Sequence, residues 1–218
     1  MSNQIFNEDC LDTLTKRKIE YDYVCFSPPD YDELDYVPIQ DDKKYYNWQE
    51  KVYSKLKPKN KVVTIVVSNR RFQRKTIPKH QHITDIMKNL GYDLLAEKVW
   101  KKSSLINLYR YNYAFVMSYG KKGYKSKNTR LFKYDTWCHS HRPYKGYTYN
   151  FPKEMIFRCL DNYTDEGETV YDPFMGIGTT AIACVENGRN YYGSEINEEV
   201  WKLGTKRLTN YKKISKFI

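Results

Sequence analysis

One stretch of the chain, DPFMGIGTT at 172–180, combines an acid, an aromatic residue and two glycines at the junction of a predicted strand and a predicted helix. Glycines at 176 and 178 let the backbone approach a ligand closely, and the helix that starts at Thr179 offers free N–H groups to an anionic group. The next predicted strand ends in GSE, so that Glu195 could bind ribose hydroxyls. An acid about 20 residues after a Gly-rich turn is typical of nucleotide binding.

The spacing of these residues distinguishes between classes of nucleotide ligand. The turn is Gly-Ile-Gly-Thr-Thr-Ala, so the third glycine of a dinucleotide fingerprint is absent, and the chain has no GKS or GKT sequence of a phosphate-binding loop. S-adenosylmethionine fits the remaining pattern, because its adenosine needs carboxylates and its methionine carboxylate can use the turn and the helix N-terminus. We therefore predict S-adenosylmethionine as the cofactor.

A second candidate lies upstream, where the apolar strand VCF runs into Ser27-Pro28-Pro29 and then into an acidic loop. Prolines cannot donate to a β-ladder, so the strand must stop at Ser27 and the chain must leave it in a rigid, extended turn. A stiff strand exit explains this tripeptide without any chemistry. It gains a catalytic interpretation only together with the Gly-rich turn.

Apolar runs alternate with amphipathic stretches along the chain, which predicts an α/β domain with a largely parallel sheet flanked by helices. The predicted strands are Tyr23–Phe26, Lys61–Ser68, Leu94–Trp100, Tyr113–Tyr119, Thr169–Tyr171 and Asn190–Gly193. The predicted helices are Trp48–Leu56, His82–Leu90, Lys153–Asn162, Thr179–Asn187 and Glu198–Tyr211. We expect a single domain over residues 1–218, in which residues 120–150 form a small, basic, loop-rich insert.

The charge distribution predicts a polyanionic partner. The formal net charge is +11, and residues 121–147 carry eight Lys or Arg against the single Asp135, interleaved with aromatic residues. Lys and Arg displace counterions condensed on phosphates, which supplies most of the non-specific affinity for nucleic acid. The candidate nucleic-acid contacts are Arg70, Arg71, Lys121, Lys122, Arg130 and Arg142, of which the last two are candidates for guanine edges.

The five cysteines are scattered, and no apolar run is long enough to span a bilayer. We therefore expect a soluble, intracellular protein, in the cytoplasm or the nucleus according to its source, without a membrane partner. Cys138, His139 and His141, together with His80 and His82, lack the paired spacing of zinc modules, so no metal site is predicted.

Taken together, SPP, DPFMGIGTT and GSEIN resemble the permuted β-class amino-methyltransferases of DNA, which make N4-methylcytosine or N6-methyladenine. The resemblance covers most of the chain, because NEDC at 7–10, LKPKN at 56–60 and KVWKK at 98–102 also match, as does FPK at 151–153 in a shortened form without the family's His. It implies a Rossmann-like methyltransferase fold in which residues 120–150 stand at the family's target-recognition region. It also implies double-stranded DNA as the partner, and it allows a homodimer.

Transferred residue by residue, the resemblance implies a catalytic tripeptide and a cofactor site. Ser27, Pro28 and Pro29 would hydrogen-bond the exocyclic amino group of a flipped base and hold its nitrogen in line with the methyl sulfonium. The cofactor site would comprise Asp9 near the adenine, Glu195 at the ribose, Phe151 and Lys153 over the methionine end, and the turn residues Asp172, Phe174, Gly176, Gly178 and Thr179.

Position 30 departs from the family's pattern. Asp30 stands where the family has a base-stacking aromatic residue, so either Tyr31 stacks through a shifted turn or Asp30 joins the hydrogen bonding to the amino group. Within this family Ser at the first position of the tripeptide, in place of Asp or Asn, is more typical of cytosine-N4 enzymes, so the resemblance favours cytosine N4 over adenine N6. No cysteine follows a proline, which disfavours C5 methylation of cytosine. The alternatives to a DNA amino-methyltransferase are a non-catalytic DNA-binding subunit and an amino-methyltransferase that acts on RNA or on a protein amide.

Overall fold

The computed structural model describes residues 3–30, 42–72, 75–102, 111–124, 134–140, 144–145, 147 and 150–214. Its strands are β1 Gln4–Phe6, β2 Tyr23–Phe26, β3 Val62–Val67, β4 Arg70–Phe72, β5 Lys75–Ile77, β6 Asp93–Lys101, β7 Tyr113–Gly120, β8 Thr136–Cys138, β9 Thr169–Asp172 and β10 Asn190–Ser194. Its helices are α1 Cys10–Lys16, α2 Asp42–Lys55, α3 Lys79–Asn89, α4 Lys153–Tyr163, α5 Thr179–Glu186 and α6 Glu198–Ile214.

One sheet joins most of the strands, in the order β1-β10-β9-β2-β3-β7-β6-β8. The strands from β1 to β3 are mutually parallel, β7 is antiparallel to both β3 and β6, and β8 is parallel to β6. The carboxyl ends of every strand in this sheet except β7 therefore lie at one edge, which we call the carboxyl edge. The β4–β5 hairpin follows β3 at this edge and is separate from the main sheet.

Apolar side chains cover both faces of the sheet. All six residues of β3 are buried, as expected for a strand with helices on both sides. One face packs against α4, α5 and α6 through residues such as Cys159, Ile182 and Leu208. The other face packs against α1, α2 and α3 through residues such as Cys10, Val52 and Ile83. The predicted α/β architecture with a largely parallel sheet is confirmed.

The described part of the region 120–150 differs from the predicted loop-rich insert. Thr136–Cys138 forms the last strand of the main sheet, where it pairs with β6. Trp137 is 2% exposed in this strand and lies opposite Trp100. Three residues are too few for an alternating pattern to be recognised in a sequence, and the pairing with β6 is what makes them a strand.

Candidate active site

The Gly-rich turn joins β9 to α5, and its backbone requires both glycines. Gly176 has φ 53° and Gly178 has φ 78°, in the left-handed region that other residues rarely adopt. α5 begins directly after Gly178, and no side chain caps its N-terminus. The N–H groups of the first turn of α5 are therefore presented at the carboxyl edge.

Asp172, at the end of β9, stabilises this turn through two hydrogen bonds. It is 2% exposed and accepts hydrogen bonds from the Phe174 N–H at 2.9 Å and from the Thr180 hydroxyl at 2.6 Å. Burial raises the pKa of Asp172 to about 7, although both hydrogen bonds favour the charged form. Its contacts give Asp172 a structural role in shaping the turn.

Glu195, just after the neighbouring strand β10, reaches across to the same turn. One carboxylate oxygen accepts from the Gly176 N–H at 2.9 Å, and the other accepts from the Asn197 N–H at 2.9 Å. Burial raises the pKa of Glu195, against the effect of these backbone hydrogen bonds. The structure therefore brings Glu195, the residue predicted to bind the ribose, into direct contact with the Gly-rich turn.

Phe174 connects the turn to the Ser-Pro-Pro tripeptide. Its ring packs edge-on against Phe26, with 5.5 Å between ring centroids, and lies 5.6 Å from the ring of Trp48. Phe26 is the last residue of β2 and directly precedes Ser27. β9 and β2 are neighbours in the sheet, and the strand that follows each of them along the chain lies on the opposite side: β10 beside β9, and β3 beside β2. Such a switch point leaves a crevice at the carboxyl edge where ligands bind in α/β sheets.

The tripeptide follows β2 at this edge of the sheet and has two oxygen atoms without a hydrogen-bond partner in the described part of the chain. Pro28 is buried, whereas Ser27 and Pro29 are half-buried. The Tyr45 hydroxyl donates to the Pro29 carbonyl at 2.7 Å. Among the residues that the structure describes, none hydrogen-bonds the Ser27 hydroxyl or the Pro28 carbonyl. These two acceptors can therefore bind a ligand that offers two hydrogen-bond donors.

Asp30 is paired with two cations on the side of α3 and the β4–β5 hairpin. Its carboxylate lies 2.8 Å from the Lys79 ammonium and 3.7 Å from the Arg70 guanidinium. Neither partner was predicted from the sequence, because both are far from Asp30 along the chain. Tyr31, the predicted alternative for stacking, lies outside the described residues.

The remaining predicted cofactor residues are divided between two places. Asp9 caps α1 at the carboxyl edge, where its carboxylate accepts from the Leu11 N–H at 2.8 Å. Lys153 instead lies 2.5 Å from Glu186, the last residue of α5. Since the turn precedes the first residue of α5, this amino group lies about 10 Å along the helix from the predicted methionine site. The prediction for Lys153 is thus not supported by its position, while Phe151 packs against the α4–α6 face.

Three residues that the sequence analysis missed pack on the Gly-rich turn. Gly204 of α6 lies so close that an added Cβ would be 2.8 Å from the Gly176 carbonyl, and the Tyr147 hydroxyl also lies over Gly176. Arg207 donates to the Thr179 hydroxyl at 3.1 Å and to a turn carbonyl. The i, i+3 spacing of positions 204 and 207 places them on one helix face, which is the only local signal for this contact.

The four predicted nucleic-acid contacts that the structure describes lie at opposite edges of the sheet. Arg70 and Arg71 belong to the β4–β5 hairpin at the carboxyl edge. Lys121 and Lys122 follow β7, the reversed strand, so they lie about 20 Å from the crevice, the length of a six-residue strand. The Lys121 ammonium sits 4.5 Å from the centre of the Tyr92 ring there. Lys121 and Lys122 therefore lie on a different surface from the tripeptide, and their contact with nucleic acid stays a prediction.

Arg130 and Arg142 lie outside the described residues, as does His141. Within the described part of the chain, no three His, Cys, Asp or Glu side chains form a group that could hold a metal ion. His80 contacts Asn69 at 2.8 Å and stacks on Phe115. None of the helices in the described ranges is long and apolar enough to cross a membrane.

The sequence matches a known protein family over most of its length. A family model described as DNA methylase, N6 and N4 type, matches residues 22–206. The orphan methyltransferase M.BamHII of Bacillus amyloliquefaciens is 41% identical over 61 residues, which cover 28% of this chain and 23% of that protein. The chain spans about half the length, or less, of the curated relatives it matches.

Two solved structures share the fold along nearly the whole chain. TTHA0409 of Thermus thermophilus, a candidate DNA modification methylase, has a TM-score of 0.79 at 21% identity and covers 96% of this chain and 95% of its own. The PvuII DNA methyltransferase, named as cytosine-N4-specific, has a TM-score of 0.80 at 14% identity and covers 98% of this chain and 93% of its own. The Rossmann-like methyltransferase fold is therefore confirmed.

Proposed function

The chain belongs to the DNA methylase family of N6 and N4 type, and from this membership we propose that it methylates an exocyclic amino group of a base in double-stranded DNA. The observation that carries the proposal is the packing of Phe174 on Phe26, which sets the Gly-rich turn beside Ser27 and Pro28 at the switch point of the sheet. This packing supports a site for the methyl donor and a site for the target base in one crevice.

S-adenosylmethionine is the proposed cofactor, and when bound it supplies the electrophilic methyl group. The uncapped N-terminus of α5 suits its methionine carboxylate, and the left-handed glycines remove side chains from that approach. Glu195 keeps carboxylate lone pairs for ribose hydroxyls, since each of its oxygens accepts one backbone N–H. Asp9 lies at the same edge for the adenine. TTHA0409 is also described in complex with S-adenosylmethionine, which supports the proposal.

The tripeptide would act by orienting the acceptor. The Ser27 hydroxyl and the Pro28 carbonyl accept hydrogen bonds from the two amino hydrogens, so that the nitrogen faces the turn. The two prolines restrict the direction of the Pro28 carbonyl, because the ring of Pro28 fixes its own φ and the following Pro29 restricts ψ of Pro28. No covalent intermediate with the protein is needed, and the rate enhancement comes mainly from positioning. The target base must leave the duplex to reach these atoms.

Cytosine N4 is the proposed acceptor, on the basis of Ser27 at the first position of the tripeptide. The PvuII enzyme, named as cytosine-N4-specific, shares the fold. Adenine N6 is the second candidate, because the matching family includes both chemistries. Arg70 and Arg71 are the proposed phosphate contacts, since they lie at the same edge as the tripeptide.

The test is methyl transfer from isotopically labelled cofactor to mixed-sequence double-stranded DNA, followed by digestion to nucleosides and mass spectrometry. We expect labelled N4-methylcytosine. Labelled N6-methyladenine would change the base but keep the reaction. Cofactor binding without transfer to DNA would contradict the proposed activity and favour a non-catalytic subunit, and transfer to RNA or protein in parallel incubations would identify another acceptor.

A further inference from the structure

The last residue of the tripeptide, Pro29, is held on one side by buried groups of α2. The Tyr45 hydroxyl donates to the Pro29 carbonyl at 2.7 Å and accepts from the Gln49 amide at 2.9 Å. Tyr45 and Gln49 are both 0% exposed. Away from water such hydrogen bonds are stronger, and an unmade bond is costly, so the Pro29 carbonyl has one favoured position.

On the other side the same segment is held by charge. Asp30 lies 2.8 Å from the ammonium of Lys79, whose side chain is only 3% exposed. A buried ammonium is costly unless it is paired. Lys79 is also the first residue of α3, where the helix dipole disfavours a cation and where the first turn has no acidic residue of its own. Asp30 offsets both costs, and Arg70 at 3.7 Å adds to the attraction.

These contacts engage Pro29 and Asp30, whereas the Ser27 hydroxyl and the Pro28 carbonyl have no hydrogen-bond partner among the described residues. We propose that Tyr45 and Asp30 are positioning residues, which clamp the chain between α2 and α3 so that the Ser27 hydroxyl and the Pro28 carbonyl hold one geometry toward the amino group. The inference rests on the proposed function. In this chain the position after the tripeptide acts through an ion pair with α3, and not through an aromatic ring.

The experiment compares two clamp variants with two matched controls. Tyr45→Phe removes one hydroxyl, and Asp30→Asn removes one charge. Tyr53→Phe is the first control, because Tyr53 is buried on the same helix and its hydroxyl has no hydrogen-bond partner among the described residues. Glu20→Gln is the second, because Glu20 pairs with Lys59 at 2.7 Å on an exposed surface. Each protein is assayed for kcat, KM for DNA, cofactor Kd and hydrogen–deuterium exchange of the peptide covering residues 24–30.

We expect kcat to fall on the order of ten- to a hundredfold in both clamp variants, since small misplacements of reacting groups have effects of this size. Cofactor Kd and both controls should stay at wild-type values, and KM should be unchanged in Tyr45→Phe; Asp30→Asn is compared on kcat, because it also frees Arg70 from its ion pair. Exchange of the peptide should be faster only in the clamp variants. Asp30→Glu should recover part of the turnover because it keeps the charge.

Wild-type kcat in both clamp variants would overturn the proposal, and so would a loss of cofactor binding or of global folding in step with kcat. If the wild-type protein transfers no methyl group to DNA, the proposed function fails separately. The clamp is then judged by exchange alone: faster exchange in the two variants supports it, and unchanged exchange overturns it.

Discussion

The Phe174 ring packs edge-on against the Phe26 ring at 5.5 Å, and this contact joins the two candidate halves of the active site. One ring belongs to the Gly-rich turn after β9, and the other ends β2 directly before Ser27. The strands are parallel neighbours, so their carboxyl ends coincide. The acceptor atoms of the tripeptide are therefore fixed relative to the turn by the apolar core itself.

Ser27→Ala tests the proposed contact with the amino group. The change removes an acceptor without altering the backbone, so we expect turnover to fall on the order of a hundredfold while the cofactor Kd is unchanged. Ser54→Ala is the control, because among the described residues that hydroxyl donates to a carbonyl within α2 and to no other group. Equal turnover of wild type and Ser27→Ala, measured under saturating cofactor and DNA, would remove Ser27 from the mechanism.

Asp172 should make folding stability depend on pH. Its pKa in the folded protein, about 7, lies above the ordinary value of 3.8, so the folded state binds the proton more tightly than the unfolded chain. Its contribution is fully present below pH 3.8 and is lost as the pH rises through about 7. The free energy of unfolding of wild type relative to Asp172→Asn should therefore fall by a few kcal/mol between these limits. Urea titrations across this range measure it, and a flat difference would contradict the raised pKa.

Gly204→Ala should disturb the Gly-rich turn from α6. The new methyl group would lie 2.8 Å from the Gly176 carbonyl and 3.0 Å from the Ile177 backbone, so the helix must move away. We expect a loss of about 1–3 kcal/mol in stability together with weaker cofactor binding. Thr205→Ala, on the exposed neighbouring position, should change neither quantity. Denaturant unfolding measures the stability of the two variants, and titration calorimetry measures their cofactor binding. Unchanged stability in Gly204→Ala would show that the turn accommodates the methyl group by a small shift.

DNA binding should depend on the carboxyl edge. Replacing Arg71, a proposed phosphate contact, and Lys75, an exposed cation of the same β4–β5 hairpin, by Ala should weaken binding and reduce the salt dependence by about one phosphate contact per residue. The matched double variant, Lys121→Ala with Lys122→Ala, removes the same charge from the opposite edge and should have little effect. Fluorescence anisotropy with labelled duplex at several salt concentrations measures both. A larger loss in the second variant would place the DNA on the opposite edge.

Much of the fold was predictable from local pattern. The apolar runs at β3 and β7 and the Gly-rich junction at α5 are continuous stretches whose periodicity or glycine content has one simple interpretation. Boundaries were less predictable. α2 begins at Asp42, six residues before the predicted Trp48, because its first turn is polar and has no apolar repeat.

The candidate site was predictable only as two separate halves. The predicted role of Lys153 at the methionine end of the cofactor rested on a shortened match to a family element. In the structure its ammonium pairs with Glu186 instead. Gly204 and Tyr147 reach the turn from elements distant along the chain, and the only local signal is that Gly204 shares a helix face with Arg207. Contacts of this kind depend on how helices and loops pack, which no short pattern encodes.

The sequence by itself determined the chemistry available: a Gly-rich turn with a spaced carboxylate, and a rigid tripeptide with a hydroxyl. Only the tertiary structure decided which groups act together. Reversal of β7 moved Lys121 and Lys122 to the far edge, and the packing of α2 and α3 gave Tyr45 and Lys79 their places beside Pro29 and Asp30. Strand direction and helix packing are set by burial across the whole domain, so a residue's neighbours in space are not its neighbours in sequence.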